Sequence, residues 1–177
     1  MKINRFSGTF FLTALLLLLS TSCKKENKDN PPEEIVPSTS DAATNELLKL
    51  LRGATSKFNA PNQALNAGYL RDDHCVAAPG LGGMGYHWTN PSLVDSEFDV
   101  LEPEAVLYAP GPGGNLRLVG LEYIVLNTGQ PRPAFGNQPF DIAGTPLSAP
   151  HWSLHVWLYE NNPSGLFMPF NPNVTCP

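Results

Sequence analysis

The sequence predicts an α+β fold in which two N-terminal helices pack on an antiparallel or barrel-like β-sheet with long Pro/Gly-rich loops. Three observations support this. Leucines recur with helical spacing from residue 41 to about 58, apolar strand-like runs begin at Gly82, and 18 prolines and 15 glycines break the chain between runs. Helices that precede a set of strands, and do not alternate with them, are typical of this class.

The two helices are predicted from caps and leucine spacing. Ser40 or Asp41 can cap the first helix, which the leucines extend to about Phe58. Pro61, at a first-turn position, begins a short second helix that reaches Tyr69. We expect both helices to lie on one side of the sheet.

Apolar runs separated by turn residues predict the strands. The runs are 82–88, 105–109, 116–126 and 151–159. The Pro/Gly-rich turn 110–115 joins the second and third runs into a hairpin with an enlarged loop. The last run is dense in aromatic and aliphatic residues and predicts a central strand. Residues 127–150 and the tail after Pro163 are predicted to be loops.

Composition limits the class of protein. With 42% hydrophobic and 15% charged residues, the chain fits one globular domain with a leader and a tail, and not a coiled coil or a polytopic membrane protein. The net charge of -5 argues against a nucleic-acid binder, which needs a basic surface to neutralise phosphates.

The first 22 residues predict a secretory signal peptide. A cationic start precedes an apolar run, 10–19, that is too short to span a bilayer, and small residues follow it. Cys23 comes next and resembles the lipobox cysteine of bacterial lipoproteins, which becomes the acylated N-terminus. Ser20 stands where such motifs most often have Leu, and an ordinary leader with an incidental cysteine is the alternative.

The leader and the residues after it predict where the protein lies. Residues 23–40 hold the lipidated cysteine and a charged, proline-containing tether that cannot bury enough surface to fold. The single globular domain is then 41–177. We expect a lipid-anchored protein of the bacterial cell envelope, held to the outer membrane through Cys23 and facing the periplasm or the cell surface.

The two remaining cysteines, Cys75 and Cys176, are expected to form a disulfide in an oxidising compartment. The bridge would close a loop of about 100 residues, for which the chain-entropy model gives at most about 5 kcal/mol of stabilisation. A metal site built on the two thiolates is the alternative, although no CxxC motif supports it.

Glu122 is the most unusual residue of the longest strand. If 116–126 is extended, Glu122 lies in the middle of an apolar stripe, next to Gly120. A buried carboxylate needs a partner because an unpaired buried charge is too costly. Histidines are the candidate partners.

His87, Glu122 and His155 would each come from a different strand, and together they form a candidate metal site. Two imidazoles and one carboxylate suit Zn, Fe or Cu and leave a coordination position open. His151 would be a fourth ligand only if the last strand bends, since residues i and i+4 of a straight strand are about 13 Å apart. The alternatives are a hydrogen-bonded polar core without metal and exposure of one or more members.

These alternatives give three functional hypotheses. The first is an envelope protein that binds a metal or a small apolar ligand without turnover. The second is a metal-dependent hydrolytic or oxidative enzyme. The third is a structural or interaction lipoprotein without such a site. The acidic residues between Asp95 and Glu104 lack a calcium-loop spacing and are expected to form a solvated loop.

Several segments resemble an uncharacterised family of secreted bacterial lipoproteins. They are ATSKFNAPNQALNAGYL (54–70), GGMGYHWTNPSLVD (82–95), PEAVLY (103–108), LRLVGLEYIVL (116–126) and LHVWLYENNPSGLFMPFNP (154–172), together with Cys75 and Cys176. The resemblance spans almost the whole folded domain. It implies the domain limits and the two-cysteine layout, and it implies no activity.

Overall fold

A computed structural model describes residues 39–143 and 147–177. Helix α1 runs over Thr39–Thr55 and is followed by a 3-10 turn, Ser56–Asn59. Helix α2 covers only Pro61–Asn66, with Pro61 in its first turn. The leucine pattern therefore gives one long helix that ends three residues earlier than predicted, because the chain tightens into the 3-10 turn.

Eight strands follow the helices. They are β1 (Cys75–Ala78), β2 (Gly82–Thr89), β3 (Ala105–Pro110), β4 (Leu116–Leu126), β5 (Ala134–Phe135), β6 (Gln138–Pro139), β7 (Asp141–Ala143) and β8 (His151–Val156). Six of them form one antiparallel sheet in the order β1-β2-β3-β4-β8-β7, while β5 and β6 form a separate hairpin. The large sheet curls into a half-barrel. The α+β class and the antiparallel, barrel-like sheet are confirmed.

Three predicted strands match the structure closely, and two other segments need correction. Strand β1 was not predicted, because the expected strands begin at Gly82. The last strand ends at Val156 and not at Tyr159, because the N–H of Trp157 turns to the carbonyl oxygen of Leu166, 3.0 Å away. The segment 127–150, predicted as loop, contains β5, β6 and β7. Strand β7 pairs with the first half of β8, which places β8 inside the sheet.

Apolar side chains are buried on both faces of the sheet. One face forms the main core with the helical segment, and its members include Leu51, Phe58, Trp88, Tyr108, Leu121, Tyr123 and Leu154. The other face carries a smaller cluster of Leu107, Ala109, Val119, Trp157 and Val174. Burial on both sides explains why nearly all of β4 is apolar.

The C-terminal tail packs against this second face. Gly83 and Asn171 exchange two backbone hydrogen bonds of 3.1 and 3.0 Å. A side chain at Gly83 would approach Val174 to 2.9 Å, so glycine is needed for the tail to lie against β2. The predicted disulfide between Cys75 and Cys176 is present, with the two Cα atoms 5.6 Å apart, and it fastens the tail to β1.

The predictions for the leader concern residues outside the described part of the chain. These are the signal peptide (1–22), the lipidated Cys23 and most of the tether, which was predicted to reach residue 40. Residues 39 and 40 belong instead to helix α1. Within the described ranges, no helix has the length and apolar character needed to cross a membrane.

Removal of the disulfide should destabilise the fold. We expect the double variant Cys75→Ala/Cys176→Ala to lose about 2 to 5 kcal/mol in free energy of unfolding. Without the bridge, the unfolded chain gains more conformational entropy than the folded chain does. Urea denaturation without reductant measures the loss, and reduced wild-type protein is the control. A loss below about 0.5 kcal/mol would contradict the assigned role of the bridge.

Candidate metal centre

The register of the sheet brings the three predicted ligands together. Glu122 on β4 lies directly opposite His155 on β8, so their side chains share a face. His87 lies two strands away on β2, opposite Leu107, which in turn lies opposite Gly120. Two strand spacings amount to about 10 Å. The side chains of His87 and Glu122 can meet across that distance because the curled sheet tilts them towards each other.

The ligand atoms converge within the spacing of a metal site. His87 Nε2 lies 3.5 Å from Glu122 Oε2 and 3.5 Å from His155 Nε2. The other nitrogen of His155, Nδ1, lies 3.9 Å from Glu122 Oε1. One ligand atom from each residue can be chosen so that all of them lie within 4.8 Å of one another. We call these three residues the His–Glu–His group.

Burial controls the charge of this group. The side chains of Glu122 and His155 are 3% and 6% exposed, and that of His87 is 14% exposed. Loss of water raises the pKa of Glu122 to about 8, although a hydrogen bond with Ser153 acts in the opposite direction. The same loss of water lowers the pKa of His87 to about 4 and that of His155 to about 3.

The group therefore cannot stabilise itself as an ion pair near neutral pH. Both imidazoles are neutral there, and the carboxyl group of Glu122 is largely protonated. The imidazole–carboxyl distances of 3.5 and 3.9 Å are too long for good hydrogen bonds. Among the described residues, Glu122 Oε2 has no hydrogen-bond partner at all. A fully hydrogen-bonded polar core, one of the alternatives from the sequence, does not describe this arrangement.

Apolar groups enclose the site on the sheet side. A side chain at Gly120 would lie 3.4 Å from both Leu107 and Trp157 and 3.0 Å from the carbonyl oxygen of Val156. Glycine thus lets the indole of Trp157 approach the sheet, where it stacks on the His155 ring with 6.4 Å between centroids. The Trp157 N–H donates to the carbonyl oxygen of Met168 at 2.6 Å, which fixes the indole.

The other two histidines do not belong to the group. His151 begins β8 and is buried, and its Nδ1 lies 2.8 Å from the carbonyl oxygen of Ala149. Pairing between β4 and β8 is uninterrupted from His151 to Val156, so the bend needed to bring His151 to the same ion is missing within this strand. His74 is exposed in the loop before β1.

The sequence missed a second buried acid. Glu104 was predicted to lie in a solvated acidic loop, but its residue is 2% exposed, whereas Asp95, Glu97, Asp99 and Glu102 are exposed as expected. Its Oε2 accepts the backbone N–H of Ile124 at 2.9 Å. Burial raises the pKa of Glu104 to about 8. The apolar run that follows Glu104 directly was the available signal, since it starts β3.

No protein-family model, curated protein or solved structure matches this chain. The family resemblance described above therefore stays a prediction. The His–Glu–His group is interpreted from its own geometry and chemistry.

Four of the groups with shifted pKa values, two carboxyl groups and two imidazoles, give the folded chain a specific dependence on pH. Glu104 and Glu122 keep a proton up to about pH 8 when folded but lose it near 4.5 when unfolded, so stability falls as pH rises between those values. Between about pH 4 and 6.5, His87 and His155 are neutral in the folded chain and protonated in the unfolded chain. Their contribution therefore makes stability increase as pH rises through that range. Between pH 6.5 and about 8, these two carboxyl groups dominate the pH dependence.

Metal-free protein should therefore lose stability between pH 6.5 and 8, and Glu122→Gln should remove about half of that loss because one of the two titrating carboxyls is gone. Urea unfolding at several pH values in the presence of EDTA measures the slope. Glu97→Gln, in an exposed position, should leave the slope unchanged. A Glu122→Gln profile parallel to that of the wild type would refute the assigned protonation state.

Proposed function

We propose that this protein binds one divalent transition-metal ion through His87, Glu122 and His155. Two imidazoles and a carboxylate are a common ligand set for zinc and its neighbours. The ion supplies the positive charge that the neutral imidazoles do not, and it allows Glu122 to ionise in a dry environment.

The observation that carries the proposal is the unpartnered Oε2 of Glu122. It is a buried acceptor atom without a hydrogen-bond partner in the described chain, and an imidazole nitrogen lies 3.5 Å from it. Buried polar atoms are nearly always satisfied in folded proteins, and an exception is explained by strain, a catalytic role, or a bound water or ion. A cation between Glu122 and the two imidazoles satisfies all three side chains at once.

The spacing of the ligands favours a tetrahedral ion. Metal–ligand bonds of about 2.1 Å place neighbouring ligands about 3.4 Å apart in a tetrahedron and about 3.0 Å apart in an octahedron. The two separations that involve His87 Nε2 are both 3.5 Å. Both separations are close to the tetrahedral value, and all three ligand atoms lie within 4.8 Å of one another.

A metal-dependent enzyme is the second candidate. The observation in its favour is that three protein ligands leave one tetrahedral position open, which catalytic zinc sites use for water or substrate. The burial of Glu122 and His155 restricts access to the side of His87. Metal binding without turnover is therefore our first candidate function. The fourth ligand of the ion would be no larger than a water molecule.

Wild-type full-length protein, purified without an affinity tag and titrated with ZnSO4, should bind one ion per chain. His87→Ala and His155→Ala should each lower the affinity at least about 100-fold, because two ligands cannot complete the site. Isothermal titration calorimetry measures affinity, and elemental analysis measures the metal that remains after dialysis.

Glu97→Gln is the control for these variants. Glu97 is an exposed acid outside the His–Glu–His group and should not change zinc affinity. Equal zinc binding by wild type and His87→Ala would place the metal elsewhere, and no binding of Zn(II), Co(II) or Cu(II) by the wild type would reject the proposed function. A shift of the Co(II) absorption on addition of azide would show that the open position is accessible, as the enzyme hypothesis requires.

We also propose that the protein is anchored in the bacterial envelope by a lipid on Cys23. Support comes from the sequence alone: an apolar leader of limited length, small residues and then a cysteine followed by a charged segment. The lipid would hold the domain at a membrane surface, at the end of the tether.

Cys23→Ala should abolish incorporation of an alkyne-labelled fatty acid by cells that express the full chain, and it should move the protein from the membrane fraction to the soluble fraction. In-gel detection of the label measures this. Ser22→Ala, a change of the neighbouring small residue, should keep the label. A labelled Cys23→Ala protein would show that the anchor is not at this cysteine.

A further inference from the structure

The indole of Trp157 lies beside His155, one of the proposed metal ligands. The planes of the two rings differ by 21° and their centroids are 6.4 Å apart, which is an offset stack. The His155 ring also meets the His87 ring nearly at a right angle, 86°, with 5.7 Å between centroids. The imidazole of His155 therefore contacts both a flat indole and the second histidine of the group.

We propose that Trp157 is a positioning residue that fixes the plane of the His155 ring and thereby determines how tightly the site binds its metal ion. The inference rests on the proposed metal-binding function. It deepens that function by adding a residue that does not touch the ion and acts through one of its ligands.

A histidine ligand needs such support because the torsion that turns its ring about the Cβ–Cγ bond has broad energy wells. His155 Nε2 lies 3.5 Å from His87 Nε2, and His155 Nδ1 lies 3.9 Å from Glu122 Oε1. Rotation of the ring plane moves both nitrogens out of these positions. A stacked indole opposes that rotation and occupies neither nitrogen, so the ring stays available to the ion.

Trp157 can hold another side chain because it is itself fixed at several atoms. It is 3% exposed and belongs to the apolar cluster on the second face of the sheet, with Leu107 and Val119. Its indole N–H donates to the carbonyl oxygen of Met168 at 2.6 Å, and its backbone N–H donates to that of Leu166 at 3.0 Å. Packing and two hydrogen bonds together define the plane of the indole.

The segment that supplies the Met168 carbonyl has its own internal hydrogen bonds. Asn162 is buried, and its side-chain nitrogen donates to the carbonyl oxygen of Phe170 at 2.9 Å. The side-chain oxygen of Asn162 accepts the backbone N–H of Ser164 at 3.0 Å. These bonds join the two ends of segment 162–170, so the acceptor of the indole N–H is held in place by the tail.

The chain contains a matched control for the effects of core packing. Trp152 is also buried and lies on β8, the strand that carries His155, but its side chain belongs to the main core on the opposite face of the sheet. Truncation of Trp152 therefore leaves a cavity similar to that left by truncation of Trp157, without removing the indole that stacks on His155.

The test compares Trp157→Leu with Trp152→Leu in the full-length protein, titrated with ZnSO4. Both variants should be less stable in urea, because each loses buried aromatic area. Only Trp157→Leu should also bind zinc more weakly, by about 10- to 100-fold, as is typical when a group that orients a metal ligand is lost. Trp157→Phe, which keeps a flat ring beside His155, should bind zinc at least about 3-fold more tightly than Trp157→Leu.

The absorption of bound Co(II) gives a readout that depends on ligand geometry and not on stability. Once the His155 ring can rotate, the intense bands of four-coordinate Co(II) should shift or weaken, as we expect for Trp157→Leu. Trp152→Leu should keep the wild-type spectrum, and Trp157→Phe should lie closer to the wild type than Trp157→Leu does.

Wild-type zinc affinity in Trp157→Leu, or an equal loss of affinity in Trp152→Leu, would overturn the role of Trp157 and leave the metal site intact. Equal losses in Trp157→Leu and Trp157→Phe would overturn it as well, because a flat ring would then not matter. If Trp157→Leu does not fold, Trp157→Met and Trp152→Met give the same comparison, since a flexible thioether fills irregular space but presents no flat face. Absence of bound Zn(II) and Co(II) in the wild type would instead reject the proposed function itself, and the role of Trp157 with it.

Discussion

The structure depends on a carboxyl group placed where water cannot reach it. Glu122 lies in the middle of β4, between two paired strands, and its side chain is almost completely buried. A buried carboxylate must be paired or must lose its charge. Its two histidine neighbours cannot pair with it as cations, because burial has lowered their pKa values to about 4 and 3. An added cation, as in the proposed function, would allow all three groups to keep their ligating forms at neutral pH.

The rest of the fold keeps this group dry and in register. Pairing of β4 with β8 fixes Glu122 opposite His155, and the curl of the sheet brings His87 to them from β2. The C-terminal tail covers the neighbouring part of the same face with Val174, and the disulfide fastens the end of that tail to β1. A small half-barrel that must bury apolar residues on both faces benefits from such a link, because its edges are otherwise held only by short strands.

The sequence predicted the site better than its surroundings, for physical reasons. Three strands with strong apolar patterns fixed the faces of His87, Glu122 and His155, and a charge inside an apolar stripe has few explanations. The short strands β5 to β7 were missed because two or three residues carry no periodicity, and β7 forms only by pairing with β8. The burial of Glu104 was missed because its local neighbourhood is acidic, whereas its environment is set by Ile124 on a distant strand.

The two buried glutamates of this chain can be compared directly. Burial raises the pKa of both Glu104 and Glu122 to about 8, so the two carboxyl groups are similar in desolvation. Glu104 Oε2 accepts the backbone N–H of Ile124 and completes the hydrogen bonding of β4 where β3 begins, which is a structural role. Glu122 Oε2 has no such donor within the described chain, and imidazole nitrogens surround it. The fold supplies a backbone N–H to the buried carboxyl group of Glu104. It can therefore provide a hydrogen-bond donor to a buried acid. The unsatisfied oxygen of Glu122 and the imidazole nitrogens near it are therefore the observations on which the proposed metal site rests.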